Sequence, residues 1–299
     1  MKPILRPILA GALALGLVSQ AGAQEAQVES TRLADDLYVL TGRGGALAAF
    51  TGEDGVVLVD DQFAPMTPAI LAAIREFTDA PLKYVINTHW HFDHTGGNAN
   101  MAGEGAVIVA HDLVRRRMST DQLMAFDQRE VPAAPPDALP VITFSESVSL
   151  HLNGENVRVV HVPGAHTDGD AIVHFPDSKV LHMGDAFWNG SYPRIDYDTG
   201  ASVYGMMDAL RTALALCDGD TRVIPGHGGL ADCAGLSASL EMLETTTARA
   251  ERLYAEGKSL EEMVALQPNA DYDASWGLGY IKPDVYLRIL YESVAARAP

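Results

Sequence analysis

The chain has 299 residues, 47% hydrophobic and 20% charged, which is enough apolar material for a large core and too much for a disordered chain. Its formal net charge of −18 gives an acidic surface that repels nucleic acid and anionic membranes, so neither is an expected partner. Two cysteines, Cys217 and Cys233, are too few for a disulfide-built scaffold; a bridge between them and two free thiols both stay open.

Read in chain order, the first segment carries Lys2 and Arg6, then an apolar run over 7–18, then the small residues Ala21, Gly22 and Ala23. A positive end, a short apolar stretch and a small-x-small cut site read as a secretory signal peptide. The run is shorter than the roughly 20 residues that span a bilayer. The expectation is cleavage near Ala23, release to the periplasm or the medium, no stable membrane insertion, and residues 24–299 as one domain. The oligomeric state is not readable.

After a polar lead over 24–30, strands are predicted at 37–40, 46–51, 55–60, 84–86 and 106–110. The run Val56, Val57, Leu58, Val59 is apolar throughout, as in a strand buried on both faces. Between these lie a glycine-marked hairpin at Gly42, Gly44 and Gly45, a helix over 68–78 with Ile70, Leu71, Ile74 and Phe77 on one stripe, and a helix from Asp112. Residues 118–139, with Pro132, Pro135 and Pro136, read as an irregular surface insertion near the mouth of a site. The second half repeats the theme, with strands at 148–152, 157–162, 171–174, 180–183 and 222–224 and helices at 203–216, 237–256 and 283–296. Two such halves predict an α/β protein with a sheet-on-sheet core and helices outside.

The chemistry concentrates after the strand at 84–86, in Thr88-His89-Trp90-His91-Phe92-Asp93-His94-Thr95-Gly96-Gly97-Asn98. Three of the ten histidines and an aspartate fall within six positions. On an extended backbone His89 and His91, two apart, point the same way, while Asp93 and His94 point differently. One peptide can thus serve two neighbouring metals, and imidazole with carboxylate is a donor set zinc accepts. His166, Asp185 and His227 each follow an apolar run and stand beside glycine or a small residue, which lets backbone approach a bound ion.

This ordered set, His89-x-His91-x-Asp93-His94 followed by His166, Asp185 and His227, resembles the ligand set of the metallo-β-lactamase superfamily over about residues 33–289. The resemblance implies a four-layer αββα sandwich with two zinc ions per chain in a shallow groove. It places His89, His91 and His166 on one zinc, Asp93, His94 and His227 on the other, and Asp185 between them. Asp60, at the end of its strand, matches a further motif position and is expected to orient a ligand imidazole. The implied chemistry is attack by a metal-bridging hydroxide on the carbonyl of a small-molecule substrate, with Asp93 orienting the nucleophile; from its place near the expected groove, not from the resemblance, Asn189 is the candidate donor to the oxyanion.

The expected groove lining is the glycine hairpin over 41–46 with Trp90, Trp188, Asn189 and Tyr192. The favoured substrates are β-lactams or related cyclic amides and esters. Segments around His166, His174 and His227 resemble zinc β-lactamases, but the commonest of those carry Cys where this chain has Asp185 and Lys where it has Trp188. A bridging aspartate is shared with glyoxalase II and lactonase members, so a thioesterase or lactonase is the alternative, and a non-catalytic metal-binding export partner a further one.

Overall fold

The computed structural model describes residues 27–298 apart from Ala125 and Asp127, so the leader segment expected over 1–23 lies outside the described residues. Seven strands form the first sheet: β1 (Glu29–Arg32), β2 (Leu37–Thr41), β3 (Leu47–Phe50), β4 (Val56–Val59), β5 (Leu82–Ile86), β6 (Val107–His111) and β9 (Ile142–Phe144), side by side in that order. The first four are antiparallel, and β4, β5, β6 and β9 run parallel. Six strands form the second: β10 (Ser147–Leu152), β11 (Glu155–His161), β12 (Ala171–Phe175), β13 (Val180–His182), β14 (Arg222–Ile224) and β15 (Ala231–Asp232). Only β13 and β14 are parallel there. A small hairpin, β7 (Gln122–Met124) with β8 (Arg129–Val131), stands apart.

The side-chain period of two explains why two sheets stack. Val57 and Val59 of β4 face the second sheet and meet Val157 and Val159 of β11 and Val173 and Phe175 of β12 in one inter-sheet core. Their neighbours Val56 and Leu58 face the other way, onto Ile70 and Ile74 of α1 (Thr67–Arg75) and Met101 of α3 (Asn98–Gly103). On the far side Ile172, Leu181 and Val223 face α5 (Val203–Leu216), α6 (Cys233–Ala255) and α9 (Pro283–Arg297). The result is helix, sheet, sheet, helix, the αββα sandwich. Three short helices, α4 (Asp112–Met118), α7 (Leu260–Leu266) and α8 (Ala270–Trp276), flank these layers, and α2 (Phe92–Thr95) lies at the site.

Differences from the sequence expectations have physical causes. β1 falls in the predicted polar lead because all four of its residues are exposed; it is held by backbone pairing with β2 and shows no hydrophobic period. The insertion over 118–139 is not irregular throughout. It carries β7 and β8, pinned by buried Met124 against Trp90, Val114 and Met118. Cys217, capping α5, and Cys233, opening α6, form a disulfide that ties the two helices together. Among the described residues no helix is long and apolar enough to cross a membrane.

Candidate metal centre

Strand ends of both sheets converge at one edge. β5 ends at Ile86 and delivers His89 and His91, with α2 carrying Asp93 and His94. The turn after β11 delivers His166, the turn after β13 delivers Asp185, and the turn after β14 delivers His227. The sheets join here: Ala46 N–H donates to the Gly226 carbonyl at 2.9 Å and Gly45 N–H to the Asp93 carbonyl at 3.2 Å. Two glycines are sterically required. A Cβ on Gly45 would lie 2.1 Å from the His94 ring, and one on Gly226 2.0 Å from Asp185 Oδ1.

Two groups of inward-facing donor atoms result, His89, His91, His166 and Asp185 in one and Asp93, His94 and His227 in the other, each with its atoms within 4.8 Å of one another. Asp185 stands between them. Its Oδ2 lies 3.3 Å from His166 Nε2 and 3.9 Å from His89 Nε2, while its Oδ1 lies 3.1 Å from His94 Nε2 and 3.4 Å from His227 Nε2. Asp93 Oδ2 lies 3.2 Å from His227 Nε2.

The outer nitrogens fix which way each lone pair points. His94 Nδ1 donates to Asp60 Oδ2 at 2.8 Å. His89 Nδ1 lies 3.1 Å from Thr88 Oγ1, whose hydroxyl in turn donates to Asp60 Oδ2 at 2.7 Å. His91 Nε2 donates to Asp196 Oδ2 at 3.1 Å, and His166 Nδ1 to the Arg194 carbonyl at 2.8 Å. With their outer nitrogens protonated, His89, His91 and His166 turn bare acceptor nitrogens inward. His91 Nδ1 and His166 Nε2 then face each other at 2.8 Å, a contact that two lone pairs alone would make repulsive. His89 Nε2 is likewise buried with no hydrogen-bond partner. Unpaired buried acceptors carry a desolvation cost, and a divalent cation in this group satisfies all of them.

Electrostatics divide the two groups. Burial holds His89 well below the usual imidazole range, reinforced by His94, and burial brings His166 down to about 3. Burial also opposes charge on His94 and His227, but Asp185, with Asp60 and Asp93 around His94, outweighs it. His94 is held well above its ordinary value and His227 at about 9. Burial would raise the Asp185 and Asp93 carboxyls, yet the surrounding histidines hold Asp185 well below the carboxylate range and Asp93 at about 2.

Beside the clusters opens a cavity of about 440 Å³, walled by His91, Asp93, Asp185 and His227 on the polar side and by Phe63, Phe92, Trp188 and Tyr280 on the apolar side, with Arg129, Ser191 and Arg194. Trp188 lies there as expected, its ring tilted against that of His227 with centroids 4.4 Å apart. Other expected lining residues do not. Trp90 is buried under the β7–β8 hairpin, and Tyr192 stacks on Tyr286 at 3.9 Å and donates to Asp273. Gly44 and Gly45 pack against Gln62 and His94. Asn189 is not aimed into the cavity as an oxyanion donor: its side-chain amide donates to the Gly229 carbonyl at 2.8 Å and its backbone N–H to the His227 carbonyl at 3.0 Å, bracing the His227 turn.

The sequence reading missed Asp196, which holds His91, and Asp170, which accepts from the backbone N–H groups of His166 and Thr167. Neither follows a strand's C-terminal end as the donors do: Asp170 directly precedes β12 and Asp196 lies in a loop. The signal that marks Asp196 is its place beside the fully buried Ile195 in a short polar–apolar–polar stretch with Arg194.

Comparison with known proteins agrees with this architecture. The family model of the metallo-beta-lactamase superfamily matches residues 42–227, well over half the chain. The chain belongs to that superfamily. The matched span runs from the glycine hairpin to His227, so all seven inward donors of this metallo-β-lactamase superfamily member fall inside it. Among characterised relatives, a hydroxyacylglutathione hydrolase of Methylococcus capsulatus is 25% identical over 218 residues, 69% of this chain and 76% of that one. Hydroxyacylglutathione hydrolase GloC of Haemophilus influenzae is 28% identical over 51% of this chain and 72% of its own. The alpha subunit of a 2,4-dinitroanisole O-demethylase from Nocardioides is 28% identical over 48% of this chain, which spans only 41% of that subunit's length. A metallo-beta-lactamase from Pontibacter korlensis shares the fold at TM-score 0.60 and 22% identity, covering 73% of this chain and 99% of its own.

Proposed function

We propose that the protein is an exported hydrolase that holds two zinc ions, one in each donor cluster, and cleaves the acyl C–N or C–O bond of a compact cyclic amide or ester, β-lactams foremost. The observation that carries this reading is the set of outer hydrogen bonds that turns the imidazole lone pairs inward around Asp185 beside an open cavity. His89, His91 and His166 would hold the first ion, Asp93, His94 and His227 the second, and Asp185 both. When bound, such ions supply Lewis acidity and make water acidic enough to react near neutral pH.

The chain's own residues do the rest. Asp93, on the cavity wall and 21% exposed at its side chain, presents an ionised carboxylate that orients the attacking water. Phe63, Phe92 and Trp188 hold the apolar part of the substrate and keep bulk water out. Asp60, Thr88 and Asp196 keep the imidazoles in register. Export is supported by the Cys217–Cys233 disulfide, which suits an oxidising compartment, together with the composition of residues 1–23.

A second reading, thioester hydrolysis, is favoured by the relatives named hydroxyacylglutathione hydrolase. Metal analysis of the purified protein, paired with turnover of a chromogenic cephalosporin, a lactone and a thioester, separates the two. Two zinc ions with cephalosporin turnover, lost to a chelator and restored by zinc, is the expected result. Thioester turnover alone transfers the assignment to the second reading, and no bound metal after zinc addition overturns both.

A further inference from the structure

The cavity contains a buried positive charge that neither cluster uses. Arg194 is 8% exposed and lines the cavity wall. Its guanidinium carbon lies 4.9 Å from the centroid of the Phe126 ring. Its Nε and Nη2 are buried with no hydrogen-bond partner, and among the described residues no carboxylate forms an ion pair with it. Asp196, two residues on, is near enough for Arg194 to help hold its carboxyl below the usual range, but it turns its Oδ2 to His91 and makes no hydrogen bond to the guanidinium. A buried guanidinium whose donors lack acceptors carries a desolvation cost that a bound anion would offset. Its carbonyl accepts from His166 Nδ1 at 2.8 Å, so its backbone is anchored to the first donor cluster.

We propose that Arg194 is the anion-binding residue of this cavity, and that the substrate carries a carboxylate whose two oxygens complete its guanidinium while the scissile bond lies toward Asp93 and Asp185. This rests on the reading of the cavity as the substrate site. The planar fork of donors matches a carboxylate in two parallel hydrogen bonds. One guanidinium balances one charge, which suits a carboxylate better than a phosphate dianion beside Asp93 and Asp185 on the same wall. Arg129 lines the same cavity, its guanidinium carbon 3.8 Å from the centroid of the Phe92 ring. In a chain of net charge −18, cations facing the cavity attract anions that the rest of the surface repels.

The test has a kinetic arm and a binding arm. On zinc-loaded enzyme, a cephalosporin acid is compared with its methyl ester in wild type, Arg194→Gln and Arg194→Lys. The expected result is a KM for the acid raised roughly 10- to 100-fold in Arg194→Gln, with kcat within a few-fold, a smaller rise in Arg194→Lys, and an unchanged KM for the methyl ester. The binding arm uses calorimetry on metal-free protein with phenylacetate, phenylacetamide and phenyl phosphate, so that neither turnover nor metal coordination enters. Phenylacetate is expected to bind tightest and to lose its advantage over phenylacetamide in Arg194→Gln. If Arg194→Gln does not fold, Arg194→Lys weakens phenylacetate but not phenylacetamide. Equal binding of acid and amide by wild type, or no change in either variant, overturns the proposal; tighter phenyl phosphate overturns the carboxylate assignment. Phenylacetate binding without cephalosporin turnover refutes lactam hydrolysis and leaves the anion site standing.

Discussion

The two donor clusters sit side by side and share Asp185, yet they are built differently. The cluster of His89, His91, His166 and Asp185 is buried throughout, and the outer nitrogen of every imidazole in it is tied to an oxygen of the chain. The cluster of Asp93, His94 and His227 opens to the cavity, with the side chains of Asp93 and His227 21% and 28% exposed. Burial keeps His89 and His166 neutral, whereas the carboxylates hold protons on His94 and His227. One cluster is ready for a cation as folded, and the other must first give up protons. The first is therefore expected to be the tighter site and the second the one that exchanges.

The largest break in this comparison comes from removing the shared residue. Asp185→Ala is expected to empty both clusters and take hydrolysis to background, read as zinc per chain by metal analysis and as turnover. His227→Ala should separate the clusters: the buried one keeps its ion, the open one loses it, and zinc content falls by about half. Loss of both ions in His227→Ala would show that the clusters fill as a unit.

The supporting carboxylates give a finer test. Asp196→Ala removes the anchor of His91 alone, while Asp60→Ala frees His94 directly and His89 through Thr88. Each should weaken zinc affinity about 10- to 100-fold. Asp196→Ala should act on the buried cluster only and Asp60→Ala on both, as read by competition with a chelator of known affinity.

The pH dependence should differ as well. His227, raised to about 9, and His94, raised well above its ordinary value, are protonated in the metal-free protein at pH 7. A protonated imidazole cannot ligate, so zinc affinity of the open cluster should fall as pH drops below about 9, by up to tenfold per pH unit for each proton displaced. His89 and His166, both depressed by burial, impose no such penalty on the buried cluster at neutral pH. Calorimetric zinc titrations at pH 9, 7.5 and 6 check this; parallel slopes for both sites would contradict it. The smallest effect on the clusters should come from Cys217→Ser with Cys233→Ser. Opening this loop, 16 residues in sequence separation, is expected to cost about 3 kcal/mol of stability and leave zinc content unchanged.

The parts of the molecule legible in the sequence were those with a one-dimensional signature. Val56–Val59 reads as doubly buried because every residue in it is apolar, and Val203–Leu216 reads as a helix by its period. The inward donors are legible because five of the seven lie within five residues of a preceding strand end and four crowd into one peptide. Asn189 and Trp90 misled because proximity in sequence to a ligand says nothing about which way a side chain leaves a turn. Arg194 and Asp196 escaped because their meaning lies in partners far along the chain: His91 is 105 residues from Asp196, and Arg194 matters for the acceptors it lacks.

The hydrogen bond from Ala46 to Gly226 marks a seam between the sheet of residues 29–144 and that of residues 147–232. Neither side of the seam has a complete cluster. The first contributes His89, His91, Asp93 and His94, and the second His166, Asp185 and His227. An ion held there works as a rivet: it can be set only when both plates are aligned, and drawing it out lets them slide. Chelation should then be felt far from the active edge, as faster exchange of backbone amides along β3 and β14, whose flanking turns meet at that bond.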